Sequence, residues 1–316
     1  MKTLVTGGGG FIGKSIVNLI LTRNEEVKVF DDFSRDKKAI YNFQNNVEIV
    51  SGDIRDFDSL KTAMKNADRV IHLAYINGTQ QFYLQPSKIM EVATLGMYNL
   101  LEVIKGEEVQ EFYLASSSEV YQSSKVFPTP EDVPLVVPDV KNPRYSYGLG
   151  KIVQEFLTIH SMESVVKRTI FRPHNIYGPN MGFQHVIPEL FKKIRDSESG
   201  HILLKGSGQQ RRTFCHISDF LDAFDLLLNS HNSEPTIYNV GTHFESTISE
   251  LTNLIGNSLG ISIDTSTSDA PRGETVRRLP DISQLTNLGY NPKVDLKSGI
   301  EDYRRWFVAN SNDGHL

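Results

Sequence analysis

The sequence predicts a doubly wound parallel α/β sheet joined to a smaller, interleaved α/β lobe, and three observations carry that prediction. A short apolar strand at residues 3–5 runs into a glycine-rich turn and out into an amphipathic helix over 11–23. Strand and helix patterns then alternate six times up to Phe171, as parallel β–α–β winding requires. The run Arg69-Val-Ile-His-Leu-Ala74 is apolar without alternation, which fits a strand covered on both faces.

The first turn sets the chemistry. Gly7, Gly10 and Gly13 have G-x-x-G-x-x-G spacing, and Gly8, Gly10 and Gly13 also satisfy G-x-G-x-x-G. Glycine supplies positive φ and lets backbone approach a pyrophosphate closely, while the helix opening at Phe11 and Ile12 offers free N–H groups and a positive dipole end. A second strand at 27–30 ends in Asp31, about 20 residues on, where a ribose-binding acid belongs. That acid predicts NAD, since it would repel the 2′-phosphate of NADP; Lys28 and Arg35 are nearby cations. A strand at 47–50 ending before Asp53, a helix at about 56–66 and a helix at about 86–105 follow, then a strand at 111–116. Residues 122–144 carry five prolines, and a loop of that length inside a domain usually covers a site. A helix at 145–160 and a strand at 165–171 complete the first half.

Beyond Arg172 the pattern loosens. Helices are expected at 184–196, 218–230 (capped by Ser218 and Asp219), 247–259 and 296–309, with one strand at 236–240 and frayed residues from 310 to 316. This places a dinucleotide domain at 1–172 with about 213–242 returning, and a substrate lobe at about 173–212 and 243–316.

Composition narrows the partners. The 316 residues are 39% hydrophobic and 22% charged, an ordinary globular balance. A net charge of -5 argues against nucleic acid. The pairs Arg211/Arg212 and Arg277/Arg278 suit a phosphorylated small ligand better than a duplex, with solvated surface as the default. One cysteine, Cys215, excludes an internal disulfide and reads as a buried thiol. No membrane-length apolar run or metal-ligand spacing is visible, so the expectation is a cytoplasmic protein without a metal. Asp31/Asp32 and the scattered histidines are explained as a strand end, packing or surface.

Tyr147 and Lys151 lie four apart and share a helix face. A neighbouring ammonium and a cationic nicotinamide would lower the tyrosine pKa, giving a base for a sugar hydroxyl. The serine cluster Ser116–Ser118 ends a parallel strand, where ligand-facing residues belong.

With Gly52-Asp-Ile-Arg-Asp56, His72-Leu-Ala74, Ser116-Ser-Ser-Glu-Val-Tyr121, Tyr147-Gly-Leu-Gly-Lys151, Arg172-Pro-His-Asn-Ile-Tyr-Gly-Pro179, Arg212-Thr-Phe-Cys-His-Ile-Ser-Asp219 and Pro271-Arg-Gly-Glu274, the chain resembles the extended short-chain dehydrogenase/reductase family. The similarity is to its nucleotide-sugar epimerase/dehydratase branch, nearly end to end. The resemblance implies a Rossmann-type fold, NAD, a nucleotide-diphosphate sugar and a homodimer through helices near 86–105 and 145–161. It implies that Asp31 holds the adenosine ribose, Asp53 and Ile54 flank the adenine, Ala74 lines the groove, and Pro173 lies near the nicotinamide. Tyr147 is then the base, Lys151 bonds the nicotinamide ribose and Ser117 bonds the sugar hydroxyl. Ser118, Asn175, His185, Arg212 and Arg272 are implied on the substrate, with Asn175 and the two arginines on its diphosphate.

Three positions depart from the family pattern: Ala93 and His185 stand where asparagine is usual, and Lys205 where an aromatic often stacks on the base. The expected reaction is 4-epimerisation through a 4-keto sugar, with Glu119 positioning substrate. The alternatives are a UDP-glucuronate-type decarboxylase, which shares the Ser117-Ser118-Glu119 triplet, and a 4,6-dehydratase, for which Ser118 replaces the needed aspartate. A net dehydrogenase or ketoreductase and a silent NAD-sensing scaffold are further readings; the scaffold would have lost the tyrosine–lysine pair.

Overall fold

The computed structural model describes residues 1–37, 40, 43, 47–163, 165–182, 185–270 and 272–310. The expected fraying at 311–316, the helix start at Gln184 and Pro271 of the Pro271–Glu274 motif lie outside these residues. The first half runs β1 (Lys2–Thr6), α1 (Phe11–Thr22), β2 (Glu26–Asp31), β3 (Glu48–Ser51), α2 (Phe57–Met64), β4 (Arg69–His72), α3 (Thr79–Leu84), α4 (Pro86–Ile104), β5 (Glu111–Ala115), α5 (Ser146–His160) and β6 (Lys167–Pro173). The second half runs β7 (Ile176–Tyr177), α6 (Val186–Arg195), β8 (His201–Lys205), β9 (Arg211–Thr213), β10 (Cys215–His216), α7 (Ile217–Asn229), β11 (Thr236–Val240), β12 (Glu245–Thr247), α8 (Ile248–Leu259), β13 (Asp264–Ser268), α9 (Ser283–Asn287) and α10 (Leu296–Asn310).

Seven strands form the main sheet in the order β11-β6-β5-β4-β1-β2-β3. The pairs from β6 across to β3 are parallel. The chain winds from β1 out to β3 and then returns to β4 on the other side. The winding therefore reverses between β1 and β4, and a crevice opens beyond the carboxyl ends of strands at such a point. Leu4, Phe30, Val70, Phe112 and Ile170 of the sheet form one apolar cluster with Leu60 of α2 and Met97 and Leu100 of α4. The buried Arg69 is neutralised at the sheet's other end by Glu25 at 2.6 Å and Glu111 at 2.7 Å.

The chain divides into two compact units, 1–120 with 135–172 and 224–238, and 121–134 with 173–223 and 239–316. The returning segment is thus shorter than the expected 213–242, and residues 121–134 of the proline-rich stretch join the second unit. Within that unit Phe191 of α6 packs on Tyr303 and Phe307 of α10, at ring-centroid separations of 4.9 and 5.2 Å. Its small sheets escaped the sequence reading. In β13, Asp-Thr-Ser-Thr-Ser is mostly exposed and pairs with β8 through the backbone ladder and polar contacts such as His201 to Asp264 at 2.9 Å, so no apolar period marks it. Cys215 is buried, 3.7 Å from the Tyr290 hydroxyl, and burial pushes its thiol up to about 12. Arg278 is buried as well, donating to Thr275 Oγ1 at 3.1 Å, while Arg277 pairs with Glu245 at 2.6 Å. Within the basic pair at 277–278, Arg278 is therefore a structural residue, while Arg277 stays partly exposed in its ion pair.

Candidate active site

The glycine loop bridges β1 and α1 at the reversal point. Gly7 has φ +74°, and a Cβ there would lie 2.6 Å from the Ala74 nitrogen. A Cβ on Gly13 would lie 2.3 Å from the Gly7 oxygen, so both glycines are demanded by backbone packed on backbone. Gly10 differs, because its nearest neighbour would be the Gly7 oxygen at an ordinary 3.4 Å. The protein's own packing leaves room above Gly10, where a pyrophosphate would need it. Helix α1 then starts at Phe11 with no side-chain cap and no acid in its first turn, an end suited to an anion. Asp31 accepts from Gly9 N at 2.8 Å and Phe33 N at 2.7 Å, which ties the carboxylate to the loop. Burial raises its pKa against the pull of those donors. This cradle fits a dinucleotide.

Two neighbours have side chains engaged within the protein. The Asp53 carboxylate is clamped by Arg55, with Nη2 to Oδ2 at 2.6 Å, and that bond holds its pKa down. The Ile54 side chain turns into the core, where Gly96 has no Cβ that would meet it at 2.7 Å. Lys28 pairs with Glu48 at 2.9 Å and is buried, which commits one of the two cations near Asp31.

Helix α5 is entered through a turn at Pro143–Tyr145, where Asn142 accepts from Arg144 N at 3.1 Å. It buries Tyr147 and Lys151 on one face. Ser117 lies close to the Tyr147 phenol, and its Oγ accepts from Glu119 N at 3.2 Å. Burial drives the phenol up to about 12, Ser117 pulls it down, and the Glu119 carboxylate pushes it up again. The expected lowering by Lys151 does not act on the phenol here; the nearby cation that lowers it is Arg35. Lys151 Nζ donates to Ala115 O at 2.6 Å and Gln154 Oε1 at 3.1 Å. Burial brings its pKa down to about 7, opposed by Glu155.

Behind the pair lies a buried polar chain that the sequence did not reveal. Gln154 Nε2 meets His72 Nε2 at 3.3 Å, and His72 Nδ1 meets Thr6 Oγ1 at 2.7 Å, directly before the glycine turn. Burial holds His72 down at about 3, so it is neutral. Glu155 accepts from Ser116 Oγ and takes a two-point grip from Arg172, at 2.9 and 2.6 Å. Both members of that ion pair are buried. Glu155→Leu should therefore cost about 3–5 kcal/mol in urea unfolding, by stranding the Arg172 charge. A loss below about 1 kcal/mol would show the pair to be dispensable.

Ser118 is buried at the start of a 3₁₀ turn, and half-buried Glu119 lies 3.8 Å from Arg144 Nη2. The other expected site residues belong to the second unit. Asn175, at φ +44°, donates to Thr213 O at 2.8 Å. Arg212 donates to Thr275 O at 2.5 Å, His185 is the N-cap of α6 without a side-chain cap bond, and Arg272 is exposed. Pro173 ends β6. No group of His, Cys, Asp or Glu that could hold a metal occurs among the described residues, and no described helix is long and apolar enough to cross a membrane.

A parallel doubly wound sheet, a glycine cradle at its reversal point and a buried Tyr–Lys pair with half-buried Ser117 define a dinucleotide-dependent class of enzyme fold. The chain belongs to the NAD dependent epimerase/dehydratase family, whose model matches residues 3–241. A Methanocaldococcus jannaschii protein, named provisionally as a UDP-glucose 4-epimerase, is 31% identical over 98% of this chain and 99% of its own. UDP-glucuronic acid decarboxylase 1 of Xenopus tropicalis is 28% identical over 97% of this chain and 72% of its own. The UDP-glucose 4-epimerase of Thermotoga maritima, solved with UDP-glucose, superposes with a TM-score of 0.87 at 26% identity, covering 99% of this chain and 100% of that one.

Proposed function

We propose that the protein is an NAD-dependent nucleotide-sugar 4-epimerase. The observation that carries the reading is Ser117 close to the Tyr147 phenol, with Lys151 buried on the same helix, a buried serine at 118 and Glu119 facing Arg144. Tyr147 takes the proton of the sugar's C4 hydroxyl, and Ser117 holds that hydroxyl in line. NAD, when bound, supplies the redox chemistry by accepting hydrogen from C4 and returning it to the opposite face. Lys151 lies on the same buried face of α5 as Tyr147, and the positive charge that would favour the tyrosinate comes with the bound cofactor. Ser118 cannot act as the acid that expels a C6 hydroxyl, which disfavours dehydration. Glu119, its charge balanced by Arg144, positions the sugar without moving a proton at C5.

The Gly7–Gly13 loop with Phe11 and Ile12 holds the pyrophosphate of NAD, and Asp31 holds the adenosine ribose. Asp53, Ile54 and Ala74 line the rest of the dinucleotide's path, Pro173 meets the nicotinamide end, and Lys151 bonds the nicotinamide ribose. In the second unit, Asn175, Arg212 and Arg272 take the sugar nucleotide's diphosphate and His185 is a further substrate contact; Ser118, in the first unit, also contacts substrate. Exposed Leu95, Tyr98 and Phe156, on α4 and α5, supply the apolar face of a homodimer.

Decarboxylation is the second reading, favoured by the Ser117-Ser118-Glu119 triplet and by the likeness to a UDP-glucuronic acid decarboxylase. Run in D₂O, the epimerase leaves C4 and C5 of its product free of deuterium. Deuterium at C5 that disappears in Glu119→Gln would overturn it.

A further inference from the structure

Tyr75 follows the His72-Leu-Ala74 segment at the end of β4. Its ring lies beneath Lys151, with Nζ 3.9 Å from the ring centroid. The same ring meets Tyr147 edge-on, at 5.1 Å and 85°. Its hydroxyl donates to the backbone oxygen of Tyr147 at 3.4 Å. On another side Phe82 of α3 stacks on Tyr147 at 4.7 Å and 26°, so the Tyr147 ring is held between two aromatics.

The space that Tyr75 occupies has been cleared by two other residues. A Cβ on Gly150 would sit 2.1 Å from the Tyr75 oxygen and 2.7 Å from the Ala93 Cβ. Gly150 lies within α5, where glycine costs roughly 0.5–1 kcal/mol against alanine. Its backbone gives no positive φ to justify that cost. Tyr75 supplies the reason. A larger residue at 93 or 150 would displace the ring on which Lys151 and Tyr147 both rest.

Lys151 completes the case. An ammonium has three N–H donors, and Ala115 O and Gln154 Oε1 receive two of them. The electron-rich face of Tyr75 stands within cation–π range of the same nitrogen. Among the described residues, no other ring has a contact with both side chains of the pair.

We propose that Tyr75 is a positioning residue for the Tyr147–Lys151 pair, its ring fixing the lysine ammonium and the tyrosine ring relative to each other, in a niche made by Ala93 and Gly150. The proposal rests on the reading of Tyr147 and Lys151 as the proton-transfer pair. It deepens that reading whichever sugar reaction the pair serves.

The test compares wild type, Tyr75→Phe and Tyr75→Leu in turnover of a nucleotide sugar the wild type accepts, with NAD binding and melting temperature measured alongside. Displacements of about 1 Å at reacting groups cost on the order of 10²-fold, so Tyr75→Leu should lose about 10–100-fold in kcat with KM for the sugar within about threefold. Tyr75→Phe keeps the ring and should recover kcat to within about threefold of wild type, since the 3.4 Å hydroxyl contact is the weakest of the set. Should Tyr75→Leu fail to fold, Tyr75→Met takes its place with the same expectation. Leu or Met variants that keep more than half of wild-type kcat would overturn the proposal. So would a Phe variant that falls as far as Leu, or a loss confined to KM. A wild type that turns over no nucleotide sugar would instead remove the functional reading, leaving the two failures distinguishable.

Discussion

Replacing Tyr147 with phenylalanine is expected to cut turnover by roughly 10²–10⁴-fold while leaving NAD affinity within about threefold. The substitution removes one oxygen from a ring whose packing does not depend on it. Tyr75 and Phe82 contact the ring itself, at 5.1 and 4.7 Å, and both contacts survive in phenylalanine. Ser117 loses the phenol but retains the Glu119 N–H at 3.2 Å, so no buried hydroxyl is orphaned. Melting temperature should therefore change little, and the loss should appear in kcat. The phenol at about 12 is neutral near pH 7, so its work as a base depends on positive charge brought close to it. A phenylalanine variant retaining a tenth or more of wild-type turnover would mean that another group takes the proton.

The second large effect separates two glycines that look alike in the motif. Gly7→Ala should weaken NAD binding at least about tenfold and lower the melting temperature. Its φ of +74° alone strains alanine by about 1–3 kcal/mol, which lowers the melting temperature. The added Cβ would also press on Ala74 N and Leu73 C at 2.6 and 2.8 Å, prising β1 from β4 at the point where the loop is anchored. Gly10→Ala should behave otherwise. Its Cβ finds only the Gly7 oxygen at 3.4 Å, so the apo protein melts normally, yet the methyl occupies the space needed by the pyrophosphate. Calorimetry with NAD and thermal melts on both variants check this. A Gly10→Ala protein that binds NAD like wild type would place the dinucleotide elsewhere.

Sequence made the winding of the first half legible because strands such as Arg69–His72, buried at every position, show no polar–apolar alternation. The glycine cradle was equally plain, since the steric demand at Gly7 and Gly13 is local to the motif. Tyr147 and Lys151 were placed on one face by helical spacing alone. Their electrostatics were not, because burial is a property of the assembled fold: it raises the phenol and lowers the ammonium, whereas spacing suggests only their mutual effect. The Glu155–Arg172 grip spans 17 residues and two different elements, and no local pattern announces it. Helix α3 was missed since Thr79–Leu84 is six residues long and buries only Phe82. Tyr75 had one signal, a large ring directly after the apolar strand, together with Gly150 inside a helix that would otherwise favour alanine. The boundary between the units followed three-dimensional packing, which is why residues 121–134 part from the stretch that follows them.

The central claim is that the chain inverts C4 of a nucleotide-linked sugar and releases no part of it. Mass spectrometry and NMR of the products from a panel of UDP- and dTDP-linked hexoses and hexuronic acids test this most directly. The account predicts a product of unchanged mass and inverted C4, without accumulation of NADH. Loss of carbon dioxide from a hexuronic acid, or of water from a hexose, would contradict it.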